Sequence, residues 1–184
     1  MNKTRATSVR IELRGMHACF RRPEFVDDLI SYDVISPLAA TRLLSAISTR
    51  PDTQWIVRRL WVQRPIAFEW LTMQTARGQK RALVLRDVAY TLDAELDSAV
   101  GEDVIATRSD GRAHLGLTDF KADVSMVDSS VPPRTAYGGT GKIDLGWMIH
   151  DLDGRGRSRA RYFRAEMIDG LIDLDQSQPL ELVS

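Results

Sequence analysis

Residues 31–51, SYDVISPLAATRLLSAISTRP, contain the helix that the sequence marks most clearly at both ends. Ser36 suits the N-cap and Pro37 the first helical position, where a missing N–H costs nothing. Ile35, Ala39, Leu43 and Ile47 recur at fourfold spacing with Ala40 and Leu44 beside them, which predicts one apolar face. Pro51 pushes Arg50 out of helical geometry and closes the helix. On either side the pattern changes to that of strands. SVRIELR at 8–14 alternates Val9, Ile11 and Leu13 with polar residues, the two-residue period of a half-buried strand, which Gly15 is expected to end. After the helix, QWIVRRLWV at 54–62 is rich in aromatic and β-branched residues and stops at Arg64-Pro65. A second extended stretch runs from Ile66 to Met73. The polar, basic turn TARGQKR at 75–81 leads into Leu83–Leu96, where Val88, Tyr90, Leu92, Ala94 and Leu96 alternate with small or polar residues. The order is β-α-β-β, ending in a basic-tipped hairpin. It predicts an α+β chain whose residues 1–97 form a ferredoxin-like or RNA-recognition-type domain. A strong second helix, which would complete that pattern, is not visible.

Residues 98–184 read as a smaller, β-rich C-terminal part packed against the first. His114–Phe120 is strand-like, a loop follows through Pro132-Pro133 and YGGTG at 137–141, and Ile143–Leu152 and Arg161–Ile168 read as strands. Asp169-Gly170 is a strong two-residue hairpin signal that pairs Ile168 with Leu171. The two parts are expected to share a sheet or an interface.

At 184 residues and 43% hydrophobic, the chain can bury a substantial core. No apolar run approaches the roughly 20 residues needed to span a bilayer, and MNKTRATSVR lacks the apolar centre of a signal peptide, so the expectation is a cytoplasmic protein with no membrane partner. The single cysteine, Cys19, rules out an internal disulfide and a multi-cysteine zinc site; it reads as a small buried apolar side chain. Formal net charge is zero, yet the charges are segregated. Lys3, Arg5, Arg10, Arg14, Arg21 and Arg22 face only Glu12 and Glu24 in the first 24 residues, and 154–166 holds five arginines against Glu166. Asp93, Glu95, Asp97, Glu102 and Asp103 form an acidic stretch read as the solvated edge of a strand. Such segregation suits a protein that grips a polyanion on one side and protein neighbours on another; solvated faces of opposite sign are the plain alternative.

Chemistry-bearing motifs are sparse. His17, His114 and His150 stand alone, and a lone histidine is more often a hydrogen-bonded surface residue than a general base. No HExxH, Cys/His cluster or set of metal carboxylates is visible, so no metal and no cofactor is expected. YGGTGK at 137–142 lacks Walker spacing and leads into a strand, which fits an ordinary loop better than a triphosphate cradle. RGMHACFRRPEF and WLTMQTARGQKRALVLRD place Arg or Lys beside Phe, Trp or His, the mixture that joins phosphate neutralisation to base stacking, although Phe20 and Phe25 could equally serve the core.

Six blocks carry a wider resemblance: RGMHACFRRPEF at 14–25, LISYDVISPLAATRLLSAISTRP at 29–51, LVLRDVAYTLDA at 83–94, AHLGLTDFKADV at 113–124, IDLGWMIHDLD at 143–153 and RYFRAEMIDGLIDL at 161–174. In content and order they resemble the CRISPR-associated Cas five family, in its subtype I-C (d-type) branch, over about residues 8–175. The resemblance implies a ferredoxin-like domain with a basic hairpin, a β-rich C-terminal part, and a role in capping the 5′ handle of CRISPR RNA. The implied neighbours are the Cas seven backbone subunit and the Cas eight large subunit, with target DNA reached through the complex. Members of this branch usually also cut precursor repeat RNA without metal, using a tyrosine at the end of the first helix and a Lys-His pair on a later segment. Here the tyrosine position falls on Ser48, and SAVGEDVIATRSDGR at 98–112 has neither lysine nor histidine. The expectation is therefore a shortened handle-binding subunit without catalytic residues. The residues expected to contact RNA are Arg14, His17, Arg21 and Arg22 after the first strand, Arg42 and Arg50 near the helix end, and Arg77, Lys80 and Arg81 on the hairpin. Two rivals stand beside this: an endoribonuclease using His17 or His114 as replacement residues, and a scaffold that contacts mainly protein.

Overall fold

The chain begins with β1 (Thr7–Ala18) and a short β2 (Leu29–Ile30), then α1 (Pro37–Ile47), β3 (Trp55–Val62), β4 (Phe68–Thr75) and the long β5 (Gly78–Leu96). Five more strands follow: β6 (Asp123–Val127), β7 (Lys142–Asp153), β8 (Arg159–Ile168), β9 (Leu171–Asp173) and β10 (Leu180–Glu181). This computed structural model describes residues 7–49, 53–76, 78–96, 111–153 and 159–181.

One sheet holds all of these strands, in the order β10-β8-β9-β3-β5-β1-β6, with β2 and β4 paired to β5 and β7 to β8. Its stretch β3-β5-β1-β6 is antiparallel throughout and reproduces the strand order of a ferredoxin-like unit. The α+β reading therefore holds. β6 supplies the fourth strand of that unit without a legible strand pattern: its burial alternates poorly, with Met126 and Val127 both exposed. β9 joins the sheet against β3, from Arg59↔Asp173 to Trp61↔Leu171, so the C-terminal strands continue the N-terminal sheet. The 97/98 boundary drawn from the sequence lies outside the described residues.

α1 forms for the reasons its sequence gives. Ser36 accepts a hydrogen bond from the Ala39 amide at 3.2 Å, Pro37 occupies the first turn, and Pro37, Ala40, Leu43, Leu44 and Ile47 are buried. They close over Ile11, Leu13, Leu60 and Leu92, each at most 1% exposed. Burial of each such side chain contributes about 1.5–3 kcal/mol. Cys19 lies in this core as expected, and burial pushes its thiol up to about 11.

Three expectations need correction. Gly15 does not end the first strand, since pairing with β5 continues to Ala18↔Leu85. A glycine sits there because a Cβ would meet Leu115 Cδ1 at 2.3 Å and the Lys121 carbonyl at 3.1 Å. His114–Phe120 is not a strand; it is a tight reversal closed by a single bridge from His114 to Lys121 and by the Phe120 amide donating to Leu117 O at 3.0 Å. Nor are Asp93 and Glu95 a solvated edge: β5 is central, and they pair with Arg10 at 2.6 Å and Arg58 at 2.8 Å. Asp97, Glu102 and Asp103 lie outside the described residues.

The Asp169-Gly170 turn joins β8 to β9 through Ile168↔Leu171, with positive φ at both residues (49° and 85°), as a type I′ hairpin requires. A Cβ on Gly170 would lie 1.9 Å from Thr135 Oγ1. Replacing Gly170 with Ala should lower stability by at least about 2 kcal/mol in urea unfolding, from strain and clash together.

Candidate nucleic-acid groove

The turn after β1 lays residues 19–21 alongside α1, and the 112–117 segment forms the opposite wall. The Cys19 amide donates to Leu115 O at 2.9 Å, and Gly116 sits so close that a Cβ there would lie 1.9 Å from the Cys19 carbonyl oxygen. Only glycine permits this contact, at a φ of 89°. The groove that results, of about 410 Å³, has an apolar lining that includes Leu38, Leu43 and Leu117, and basic groups from Arg21, Arg42, Arg112 and His114. Arg42 projects from the exposed side of α1 and has no hydrogen bond or ion pair among the described residues. The Nδ1 of His114 is buried without a hydrogen-bond partner among the described residues. Arg21 donates to the Val26 carbonyl at 2.6 Å, which fixes its guanidinium at one end of the groove. Cationic groups beside an apolar lining can meet phosphates, and the arginine guanidinium planes can stack on bases.

The sequence-derived residues divide between this groove and other places. Arg21 and Arg42 share it. Arg22 is engaged nearby, with Glu24 at 2.8 Å and its guanidinium 5.2 Å from the centre of the Tyr32 ring. His17 lies 2.5 Å from Glu69 on β4 and packs beside Phe120, so the carboxylate holds its ring. On the β4–β5 hairpin Lys80 donates to Asp27 O at 2.7 Å, while Arg81 covers the half-exposed Trp70 at 4.4 Å. Arg14 stands apart: alternation along β1 puts it with Arg10 and Glu12 on the sheet face turned away from α1, and it pairs with Glu12 at 3.0 Å. Arg50 and Arg77 lie outside the described residues. Phe20 belongs to the core, whereas Phe25 is 41% exposed. Arg112 was missed; it comes to the groove through the reversal at 114–120, which reads as a strand in sequence. YGGTGK is tied down internally, since the Gly141 amide donates to Asp169 Oδ1 at 2.8 Å and the Ile66 amide donates to Tyr137 Oη at 2.6 Å.

Ser48 caps α1 and is 7% exposed. Its hydroxyl donates to Leu44 O at 2.8 Å and accepts from Trp55 Nε1 at 2.7 Å. Its one proton and one of its lone pairs are thus spent on structure. Among the described residues no group of three His, Cys, Asp or Glu side chains could hold a metal ion, and no helix is long and apolar enough to cross a membrane.

The ferredoxin-like strand order, with a basic groove beside its one helix among the described residues, defines an α+β protein of ferredoxin-like class. The family described as CRISPR-associated protein (Cas_Cas5) matches residues 8–175, in its Cas5d form, and the chain belongs to that Cas five family, subtype I-C. It is similar to "CRISPR pre-crRNA endoribonuclease Cas5d" of Mannheimia succiniciproducens, 29% identical over 214 residues with 92% of this chain and 95% of the relative covered. A protein of the same description from Thermus thermophilus is 33% identical over 171 residues, covering 78% of this chain and 72% of its own. The fold is shared with a crystal structure titled as a CRISPR-associated protein (TM-score 0.72, 22% identity, 94% of both chains). It is shared also with a functionally uncharacterized protein from Streptococcus mutans (TM-score 0.69, 18% identity, 93% and 94% covered).

Ser48→Ala should cost about 1–3 kcal/mol in thermal or urea unfolding, because it leaves the buried Trp55 N–H without an acceptor.

Proposed function

We propose that this chain binds the 5′ handle of CRISPR RNA as the capping subunit of a subtype I-C-type complex and does not cut the repeat itself. The Cas seven backbone and the Cas eight large subunit are its proposed neighbours, with target DNA engaged through the complex in the cytoplasm. The observation that carries the reading is Ser48. Where the family resemblance puts a catalytic tyrosine, this chain has a buried hydroxyl already committed to Leu44 and Trp55. A replacement hydroxyl is not offered nearby by the core tyrosines. Tyr32 accepts from the Ile149 amide, with burial pushing its phenol up to about 12, and Tyr90 is buried beside α1 with its phenol raised further. For binding, Arg42 and Arg21 are the residues of greatest weight, with Arg22, Arg81 and Lys80 supporting the path of the strand and Arg14 and His17 outside the groove; Arg50 and Arg77 belong to the same set but lie outside the described residues. Phosphate contacts of this kind position the RNA, and stacking of bases on the arginine guanidinium planes adds to them.

A second reading is favoured by one specific observation. His114, with its unpartnered Nδ1, shares the groove with Arg21, Arg42 and Arg112, and the curated relatives are named endoribonucleases. In such cleavage without metal a histidine takes the proton of the RNA 2′-hydroxyl as its oxygen attacks phosphorus, an arginine meets the charge on the phosphate, and the departing 5′-oxygen takes a proton from water. End-labelled repeat RNA incubated with the protein in EDTA separates the two. Intact RNA on a denaturing gel, beside a control nuclease that cuts it, is the expected result; a discrete product abolished by His114→Ala establishes the enzyme instead. Arg42→Glu should weaken handle-RNA binding at least about tenfold at moderate salt in filter binding, with Tm within a degree or two of the parent. Equal affinity of parent and variant rejects the groove as the binding site.

A further inference from the structure

The sheet face turned away from α1 carries a second cavity, independent of the groove. Residues 128–135 cross this face as a strap tied down at both ends. At one end Arg10 donates to the carbonyls of Ser129 at 3.0 Å and Val131 at 2.8 Å. Arg10 is itself fixed by two hydrogen bonds to Asp93, of 2.6 and 2.8 Å, and by stacking 5.1 Å from the centre of the Trp61 ring. At the other end Thr135 Oγ1 donates to Val62 O at 2.6 Å.

Between strap and sheet lies a slot of about 310 Å³, near the lower end of the size range of small-molecule sites. Its floor is polar: Gln63 Nε2 donates to Glu12 Oε1 at 2.8 Å and to Thr91 Oγ1 at 2.6 Å. Pro132 and Pro133 line it from the strap, and the exposed Arg14 and Arg134 stand at its edge. Both polar contacts to Glu12 fall on Oε1, which leaves Oε2 without a partner among the described residues. Arg134 likewise has no hydrogen bond or ion pair there. The Glu12 carboxyl is held below the usual range, chiefly by its hydrogen bond from Arg14, so it is an ionised acceptor at neutral pH.

These groups select a ligand by chemistry. An inner carboxylate repels an anion and needs an N–H donor; flat proline rings suit a planar group; arginines at the edge attract an anion. One molecule that meets all three demands is a nucleotide bearing an exocyclic amine. We infer that the slot between the strap and the sheet holds one cytidine, adenosine or guanosine nucleotide, its amine donating to Glu12 Oε2 and its phosphate meeting Arg134 and Arg14. Uracil is disfavoured because its one base donor, N3–H, lies between two carbonyl oxygens that are brought against the carboxylate with it, whereas an exocyclic amine reaches Glu12 Oε2 without them. The inference stands apart from handle binding in the groove, which lies on the α1 side of the sheet.

The test is a titration of the ¹⁵N-labelled full chain with CMP, AMP, GMP and UMP, and with CCC and UUU trinucleotides, followed at the Gln63 side-chain amide and the Thr91 backbone amide. Expected is binding of the three amino nucleotides at least about tenfold tighter than UMP. A further gain of about tenfold for CCC over CMP assigns the ligand to an RNA strand, and equal affinities assign it to a free nucleotide. Glu12→Gln should abolish the preference over UMP, and Arg134→Ala should weaken all the nucleotides about fivefold without moving Tm. Should Glu12→Gln fail to fold, Arg134→Ala and the UMP comparison decide. Equal binding of UMP, shifts confined to residues outside the slot, or parent-like affinity in Arg134→Ala overturns the inference. Handle-RNA binding by Arg42→Glu, measured in parallel, reports on the groove alone, so either reading can fail without the other.

Discussion

β5 is hydrogen-bonded along almost its whole length, and the rest of the structure depends on that pairing. β1 runs beside it from Thr7↔Leu96 to Ala18↔Leu85, while its other side is shared in turn by β4 and β3. The change of partner is abrupt: pairing with β4 reaches Leu85↔Phe68 and pairing with β3 reaches Tyr90↔Val62. Asp87 lies between them at a φ of 51°, a conformation that aspartate tolerates better than most residues, and Arg64 pairs with its carboxylate. This bend separates the β4–β5 hairpin from β3, so its outer face, with Trp70 and Arg81, is not covered by the main sheet. Because buried backbone groups must be paired, β5 could not bend at an arbitrary place without leaving amides unsatisfied. Its position therefore fixes where the hairpin leaves the sheet and where β1 hands the chain to the groove.

Much of the architecture was legible because it rests on local signals. Ser36, Pro37 and the fourfold apolar spacing specify α1 without help from the rest of the chain, and Asp169-Gly170 specifies a turn by the φ values it tolerates. What escaped was set by tertiary contact. Gly15 reads as a breaker on its own, yet the close approach of Leu115 is what demands glycine there. β6 has an unremarkable pattern, since as an edge strand it buries little and is defined by the neighbour it pairs with. The reversal at 114–120 contains enough apolar residues to pass for a strand, but Gly116 needs a positive φ and turns the chain back.

The candidate site was legible only in part, for a related reason. Residue type and spacing show where arginines occur but not which of them are already neutralised. Arg10, Arg14, Arg22, Arg58, Arg161 and Arg164 all have carboxylate partners in the folded chain. Arg14 and Arg21 are seven positions apart in sequence, and the twist of β1 and the turn after it put them in different cavities. The zero net charge is set by equal numbers of basic and acidic residues, 25 of each, and says nothing of how the fold pairs them across strands.

That pairing also ranks the cationic groups as binding groups. An arginine that leaves a carboxylate to meet a phosphate exchanges one charge-assisted hydrogen bond for another, and the abandoned carboxylate then repels the ligand. An arginine with no carboxylate partner gains the whole interaction. By this criterion Arg42 on the α1 side and Arg134 above the opposite face outweigh the more numerous paired arginines, each standing beside its own cavity. The two cavities differ in their inner chemistry: apolar and cationic in the groove, anionic and amide-lined in the slot. Cations stand at the edge of both cavities, but the inner carboxylate of the slot sets a demand for a hydrogen-bond donor that the apolar lining of the groove does not.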